Sequence, residues 1–320
     1  MSADKLQRQL QALDAALTAN DWYGALQHYR TLVKRKLDGG HADDAWSLVA
    51  QGAKALAARA HPAEAADLVD MLVKDLEASH VPLTAAAVER VLAAAAAFPA
   101  GDGAACAAAS PVLRAATRWA AHAPLREGGG TVGDEESEAD WGARKTLAAR
   151  LHLAAARVCR GAGAQFAADA QRHFLEAAAP EEFAEFLVAW IREGAYAGEA
   201  DLFLARAVLQ LLAVGSLGAA NKVREGFLAR VEAGEAGAGV KDAVNASPLV
   251  RFLRFLLLTA EVRFFEGGGG GLRPPASHPS PRPSLPRPPP PPNSQRMKAS
   301  EATIATLKNR IQVLEREPRK

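Results

Sequence analysis

Apolar residues recur with a helical period along most of this chain, and that periodicity limits the possible folds more than any other feature. The first clear stripe contains Trp22, Leu26, Tyr29 and Val33, which share one face of a helix with about 3.6 residues per turn. Alanine runs such as 93–97 add the residue with the highest helix propensity. Alternating runs of β-branched and aromatic residues, which indicate strands, are missing. The sequence therefore predicts an all-α protein.

Capping residues and prolines predict where the helices begin. Asn20 or Asp21 can cap the helix that carries the first stripe, and Thr84 can cap another. Pro62 and Pro111 are each predicted to occupy a first helical position, where proline is tolerated because no backbone N–H is needed there. Later helices are predicted at approximately 143–159, 165–178, 180–193, 199–213, 216–233 and 248–265.

The spacing of the helices predicts how they assemble. Successive odd-numbered helices start near residues 3, 42 and 84, so that each helical hairpin takes about forty residues, a period found in helical-repeat arrays. No strict consensus recurs, and we expect degenerate units. In such a stack each hairpin buries its apolar face only against its neighbours, which leaves an extended surface for partners. The predicted architecture is therefore suited to binding.

Two stretches differ from the helical pattern. Residues 127–140 are glycine-rich and then acidic, and after Glu266 the chain has five glycines followed by eleven prolines between Pro274 and Pro292. A proline-rich segment of this kind is typically disordered or extended. A short heptad seam follows at Ile304, Leu307, Ile311 and Leu314, which either pairs with a partner or frays. We therefore divide the chain into an N-terminal half (1–126), a loop (127–140), a C-terminal half (141–266), a linker (267–296) and a coil-like helix (297–320).

Motifs for catalysis and cofactor binding give no site. Gly128, Gly130 and Gly133 match the dinucleotide fingerprint formally, but a helix precedes them and an acidic run follows them, whereas that site needs a preceding strand. The eight histidines do not pair at metal-ligand spacing, and His28 and His173 are interpreted as surface or packing residues. We predict no enzyme activity, no catalytic residues, no cofactor and no metal.

Charge, cysteine usage and hydropathy limit the cellular setting. After residue 271 the chain has ten Lys or Arg and three Asp or Glu, whereas residues 1–271 have twenty-eight basic and thirty-three acidic residues. The body of the chain is therefore mildly acidic, and a nucleic-acid surface is not expected. Cys106 and Cys159 form no CxxC motif, which fits a reducing compartment. The most apolar stretch, 249–265, is interrupted by charges and is predicted to be a buried helix with no membrane span. We expect a cytosolic protein.

Two surfaces remain as candidates for binding. Arg30, Lys34, Arg35 and Lys36 lie outside the first stripe; they either satisfy the negative helix end or form a basic patch for an acidic partner. The helix from Pro248 has one stripe with Leu249, Phe252, Leu253, Leu256 and Ala260, and a second with Phe255, Leu258, Val262 and Phe265. A helix that is apolar on two sides must be buried on both, so we expect the second side to mark an interaction site.

Five blocks in register resemble the Golgi to ER traffic protein 4 family. They are DWYGALQHYRTLVKR (21–35), EAADLVDMLVKDLE (64–77), RHFL (172–175), EADLFLARAVLQLLAVGSLGAANKV (199–223) and SPLVRFLRFLLLTA (247–260). Order and spacing agree over roughly residues 1–265. The resemblance implies an α-solenoid of stacked tetratricopeptide-like hairpins that acts as an adaptor in delivering tail-anchored membrane proteins to the ER.

The resemblance also implies partners and the residues that meet them. Members dock the tail-anchored-protein targeting ATPase through their N-terminal helices and a ubiquitin-like-domain protein through their C-terminal half; a large BAG-domain chaperone scaffold is a further implied partner. The ATPase-facing residues would be Tyr23, His28, Tyr29, Arg30, Lys34, Arg35 and Asp67, with Tyr29 alternatively in the core. Those for the ubiquitin-like partner would be Phe203, Leu209, Phe252, Phe255 and Leu256, most of which alternatively belong to the core.

The sequence after Glu266 departs from the family pattern. Members continue with further helices, whereas this chain has Gly, Pro and the heptad seam. Either the chain is a divergent isoform or an intron has been read into its coding sequence, and we expect the latter. The C-terminal half is then incomplete, which affects the ubiquitin-like partner. The alternative functions are a helical-repeat scaffold of another cytosolic complex and a helical enzyme.

Overall fold

A computed structural model describes residues 3–125 and 137–266 of the chain. Within those two ranges every regular element is a helix, and none is a strand. The α-helices are α1 Ala3–Thr18, α2 Trp22–Asp38, α3 Ala42–Ala57, α4 Pro62–Ala78, α5 Ala85–Ala95, α6 Gly103–His122, α7 Glu138–Cys159, α8 Ala164–Glu176, α9 Pro180–Gly194, α10 Ala200–Ala213, α11 Leu217–Glu232, α12 Val240–Ala246 and α13 Pro248–Glu266. A 3₁₀-helix, Ala197–Glu199, precedes α10.

Side-chain caps and first-turn prolines fix the helix starts as the sequence predicts. Oδ1 of Asp21 accepts a hydrogen bond from the backbone N–H of Gly24 at 2.8 Å, and Oγ1 of Thr84 accepts one from Ala87 at 3.1 Å. Pro62 lies in the first turn of α4. These caps satisfy backbone donors that have no partner inside a helix.

Two boundary predictions are wrong. Pro111 does not open a helix; it lies inside α6, which begins at Gly103 and is capped by Asp102. The long apolar face of α6, with Cys106 and Leu113 buried on either side of Pro111, stabilises the helix in spite of the missing N–H. The short helix α12 was not predicted. Helix α7 begins at Glu138, within the segment expected to be a loop.

The helices stack as antiparallel hairpins in two layers. Consecutive helices pack together, as α3 does on α4 and α6 on α7, while α5 contacts both α3 and α7 on one side and α4 contacts both α2 and α6 on the other. This is the predicted α-solenoid. The linker 267–296 and the coil-like helix 297–320 lie outside the described residues, and so does the heptad seam.

Alanine and glycine set the close spacing of these layers. Ala25, Ala45, Ala53 and Ala65 are all fully buried between neighbouring helices. At Gly52 of α3 even a methyl group would lie 2.9 Å from Leu68 Cδ1 and 2.9 Å from the ring of Tyr29. The small side chains therefore allow backbones to approach closely, which explains the alanine-rich composition.

Ion pairs link the odd-numbered helices in succession. Arg90 of α5 pairs with Asp43 of α3, and Arg150 of α7 pairs with Glu89 of α5. Arg157 of α7 binds Glu182 of α9 through two hydrogen bonds, of 2.6 and 2.9 Å. Each pair joins one hairpin to the next, so the series crosses from α3 to α9. We call this series the ion-pair ladder.

Candidate functional site

Helix α2 carries most of the residues expected to face an ATPase. Its buried face consists of Ala25, Leu26, Tyr29, Leu32 and Val33, which are the residues of the predicted stripe. Trp22, also in that stripe, is partly buried and packs on the ring of His61 with 4.8 Å between centroids. The core thus fixes the rotation of α2 and determines which of its polar side chains reach the surface.

Tyr29 belongs to the core. Its side chain is only 6% exposed and its ring lies against Gly52 of α3. Burial raises the pKa of its hydroxyl above the usual value, an effect that nearby Arg59 partly offsets. Of the two positions expected for Tyr29, partner contact and core, the structure places it in the second.

The other five α2 candidates and Asp67 lie at or near the surface, on two separate flanks of the helix. With about 100° of rotation per residue, Tyr23, Arg30 and Lys34 fall on one line, and His28 and Arg35 fall on another roughly a third of a turn away. Tyr23 is 70% exposed, His28 is half-buried, and Lys34 and Arg35 are exposed. We call the line with Tyr23, Arg30 and Lys34 the α2 ridge.

Arg30 and Asp67, which were chosen from different sequence blocks, contact each other. Nη2 of Arg30 lies 3.5 Å from Oδ2 of Asp67 on α4, and both side chains are largely solvated. One turn further along α4, Nζ of Lys74 lies 2.5 Å from Oδ2 of Asp70, which raises the pKa of Lys74. The α2 ridge therefore runs beside alternating charges on α4.

Three cations at the end of α2 differ in their partners. Lys36 donates to Oδ2 of Asp44 on α3 at 2.7 Å, and this hydrogen bond lowers the pKa of the Asp44 carboxyl. Lys34 and Arg35 have no acidic partner among the described residues. Arg35 and Lys36 both lie in the last turn of α2, where a cation also complements the negative helix end. Lys34 and Arg35 are exposed and remain available to an acidic partner.

The candidates for the ubiquitin-like partner divide between core edge and surface. Phe203 of α10 is partly buried and meets Trp190 of α9 edge-on, with centroids 4.9 Å apart. Leu209 of α10 is 47% exposed, and Phe252 and Phe255 of α13 are 55% and 42% exposed. Leu256 is half-buried. We call Leu209, Phe252 and Phe255 the apolar patch set.

Helix α13 is rotated relative to the predicted stripes. Its buried residues are Val250, Leu253 and Leu257, of which only Leu253 belonged to a predicted stripe. Phe252 of the first predicted stripe and Phe255 of the second both face solvent. An exposed apolar side is therefore present, as expected, but it includes residues of both predicted stripes. The side chain of Phe265 lies outside the described residues.

Hydrogen bonds place α13 beside α10 and α11. Oγ of Ser247, at the start of α13, donates to Oδ2 of Asp201, at the start of α10, at 2.6 Å. Nδ2 of Asn221 on α11 donates to Glu261 near the end of α13 at 2.7 Å. Helices α10 and α13 thus begin side by side and pack together. Leu209 follows Asp201 at the same sequence separation at which Phe255 follows Ser247.

Some surface residues were missed by sequence reasoning. Leu202 is 56% exposed on α10, on the same helical line as Leu209. The available signal was that the apolar residues of α10 are not confined to one face of the helix. Arg224 of α11 is half-buried beside Arg254 of α13; burial and then the second guanidinium lower its pKa, and its Nε has no hydrogen-bond partner. The neighbourhood of α13 is therefore basic as well as apolar.

Residues 3–125 and 137–266 contain neither a metal-binding cluster nor a single helix that could span a membrane. No cluster of three or more His, Cys, Asp or Glu side chains there is arranged to hold a metal. No single helix in these ranges is long and apolar enough to cross a bilayer; by length and composition only the bent pair Val240–Ala246 and Pro248–Val262, with 57° between them, passes the same criterion.

Stacked antiparallel hairpins with exposed cationic and aromatic side chains define a helical-repeat protein, an α-solenoid. Residues 40–264 match the model of the family described as Golgi to ER traffic protein 4, and the chain belongs to that family. The crystal structure of C. therm. Get4 has the same fold, with a TM-score of 0.55, 20% identity, and coverage of 80% of this chain and 78% of that one.

A curated relative agrees with this assignment over a shorter stretch. Protein GET4 of Arabidopsis thaliana is 34% identical over 90 residues, which is 28% of this chain and 26% of the plant protein. The match thus spans about a quarter of that relative's length.

Proposed function

We propose that this chain is a non-enzymatic cytosolic adaptor that couples a ubiquitin-like-domain partner and upstream chaperones to the tail-anchored-protein targeting ATPase, and so promotes delivery of tail-anchored proteins to the ER membrane. Membership of the Golgi to ER traffic protein 4 family over residues 40–264 is the observation that carries this proposal. The two surfaces described above support it because they differ in chemistry and lie on helices far apart in the chain.

The α2 ridge is proposed to face the ATPase. Lys34 on this ridge and Arg35 on the other flank of α2 are both exposed. Neither has an acidic partner among the described residues, so both charges can attract carboxylates. Arg30 is paired only across 3.5 Å in solvent, where an ion pair contributes little stability and is easily exchanged. Tyr23 adds an exposed aromatic ring beside the charges. Because charge dominates here, binding should weaken as salt increases.

The apolar patch set is proposed to face the ubiquitin-like partner. Phe252 and Phe255 are large side chains that the described chain leaves exposed, and exposed aromatic clusters are typical of protein-binding surfaces. The half-buried Arg224 beside Arg254 would gain from an acidic group on the partner. Burial of apolar area responds only weakly to salt, so the two interfaces are distinguishable by this property.

A pull-down with the purified ATPase tests the first interface. The double variant Arg30→Glu with Lys34→Glu should abolish recovery, and wild-type recovery should fall between about 50 and about 400 mM salt. Arg192→Glu with Lys222→Glu is the matched control, because it makes the same charge change at exposed positions on α9 and α11. If Arg30→Glu with Lys34→Glu recovers as much ATPase as the wild type, the α2 ridge is not the ATPase-binding surface.

A second candidate is a scaffold subunit of another cytosolic complex, which the helical-repeat fold alone also favours. The two proposals differ in the proteins recovered from cell extract. Recovery of the targeting ATPase supports the adaptor, and recovery of a different stable assembly without it supports the scaffold.

A further inference from the structure

The two cysteines of the chain meet in the core between α6 and α7. They are 53 residues apart in sequence, yet the thiol of Cys106 donates to Sγ of Cys159 at 3.1 Å. Both are free thiols, and both are buried. Nothing in the spacing of the cysteines predicts this contact.

Ser110 completes the local arrangement. Its hydroxyl donates to the backbone carbonyl of Cys106 at 2.7 Å, and its Oγ lies 3.5 Å from each sulfur. A structural metal site generally needs four ligands, and among the described residues no third strong ligand lies with the two thiols. The pair is therefore better suited to chemistry between the two sulfurs.

A cavity adjoins the pair on the side of Cys159. Cys159 lines a cavity of about 760 Å³ between the start of α6, the end of α7 and helices α8 and α9. Gly101, Arg160, Gly163 and Trp190 are among the other lining residues. A water molecule occupies about 30 Å³ in the liquid, so a small oxidant has room to approach Cys159.

We propose that Cys106 and Cys159 form a reversible disulfide when the folded chain meets a hydroperoxide, and that this bond fastens α6 to α7. The Cys159 thiolate attacks one oxygen of hydrogen peroxide, the O–O bond breaks, and the leaving hydroxide takes up the proton that the thiol released, so that a sulfenic acid and water result. The sulfur of Cys106 then attacks Sγ of Cys159, the S–O bond breaks, and a second water leaves with the Cys106 proton. Two thiols are oxidised and one peroxide is reduced.

The reaction has a defined pH dependence. Burial raises the pKa of the Cys159 thiol to about 12, and its contact with Cys106 adds to the effect while Ser110 and Arg114 oppose it. Arg157, Arg160 and Arg192 face the cavity with Glu182 and Glu193. Only the thiolate attacks the peroxide, so the oxidation rate should rise about tenfold per pH unit above neutrality, as long as the pH stays below the pKa of the thiol.

The bond would connect the two predicted halves of the solenoid. Helix α6 ends the N-terminal half and α7 begins the described part of the C-terminal half. A cross-link between them restricts the unfolded chain and leaves the folded contacts in place, so the oxidised form should unfold several degrees higher than the reduced form. This inference does not depend on which partners bind.

Mass spectrometry of the folded full-length chain tests the proposal. Treatment with hydrogen peroxide should lower the mass by about 2 Da, and digestion should yield one linked peptide pair containing Cys106 and Cys159. Dithiothreitol should reverse both changes. In Cys106→Ala the sulfenic acid on Cys159 should persist and react with dimedone, because its resolving thiol is gone.

Two outcomes would overturn the proposal. One is a gain of oxygen mass on the wild-type chain with no intramolecular link, which would mean that the sulfurs do not meet during oxidation. The other is resistance of both thiols to peroxide in the folded chain together with rapid linkage after denaturation, which would mean that the cavity gives no access.

Discussion

Arg30 of α2 and Asp67 of α4 form an ion pair with 3.5 Å between Nη2 and Oδ2. Both residues belong to the surface that we propose for the targeting ATPase. Loss of binding in an Arg30 variant would follow either from a missing contact or from a shift of α2 against α4. An exchange of the two charges separates these explanations.

The first prediction concerns this exchange. Arg30→Asp combined with Asp67→Arg keeps an ion pair between the helices, so the free energy of unfolding should change by less than about 1 kcal/mol, the usual contribution of an exposed pair. ATPase recovery should nevertheless fall at least about tenfold, because the α2 ridge has lost a cation. Urea denaturation and the pull-down measure the two effects. Full recovery by the exchanged variant would show that only the pairing matters.

The second prediction concerns Gly52. A methyl group there would lie 2.9 Å from Leu68 Cδ1 and from the Tyr29 ring, so Gly52→Ala should destabilise the fold by about 1–3 kcal/mol through overpacking. Gly142 in α7 has nothing within 4 Å of the same position. Gly142→Ala is therefore the control, and it should stabilise the helix by up to about 1 kcal/mol. If denaturant unfolding shows that Gly52→Ala and Gly142→Ala change the free energy of unfolding equally, the close packing of α2, α3 and α4 is contradicted.

The third prediction concerns His152 of α7 and His173 of α8. Their Nδ1 atoms are 3.1 Å apart, so one ring must donate and the other accept, which requires at least one neutral ring. Burial lowers the pKa of each from 6.5 to about 4, and Arg172 and Arg114 add to the effect at His173. The unfolded chain therefore binds more protons than the folded chain between these pKa values.

The contribution of the two histidines to stability should consequently be fully present above the pKa of the unfolded chain, and it should fall as the pH decreases toward about 4. The slope contributed by each ring is at most about 1.4 kcal/mol per pH unit. Denaturation of wild type and of His152→Gln with His173→Gln, at several pH values between about 7 and 5, measures this slope. Carboxylates titrate in both proteins, so the difference reports the histidines. If the free energy of unfolding varies with pH in the same way in the wild type and the double variant, the pKa values of the two histidines are not lowered.

The fourth prediction contrasts two neighbours on α13. Leu253 is fully buried and Phe255 is 42% exposed. Leu253→Ala should cost about 2–5 kcal/mol of unfolding free energy, whereas Phe255→Ala should cost less than about 1 kcal/mol. The Phe255 variant should instead weaken binding of the ubiquitin-like partner, which calorimetry measures. A large stability loss at Phe255 with unchanged affinity would assign it to the core.

The sequence was sufficient where one local pattern determined the structure. The α2 stripe with Leu26 and Val33 appears as predicted, because a helix with one apolar face has only one way to bury it. The same reasoning failed for α13, where apolar residues surround the helix and periodicity does not decide which side packs inward. Leu257 is buried there and Phe252 is not, a choice made by contact with α10 and α11.

Other features depend on contacts between distant residues. The local preference of proline for the first turn predicts that a helix starts at Pro111. Pro111 instead lies inside α6, because burial of the apolar face of this helix outweighs the lost hydrogen bond. The contact of Cys106 with Cys159 and the pairing of Arg30 with Asp67 arise only when the hairpins stack. The spacing of these residues along the sequence does not predict such contacts.

The ion-pair ladder has a consequence for where a charged partner can bind. Arg90, Arg150 and Arg157 on this side of the stack are already neutralised by carboxylates of the adjacent hairpin. An incoming protein would have to replace each existing pair with one of its own, and such a substitution yields little net free energy. Lys34 and Arg35 require no such replacement. We therefore expect an acidic partner to favour the unpaired cations of α2 over the arginines of the ladder.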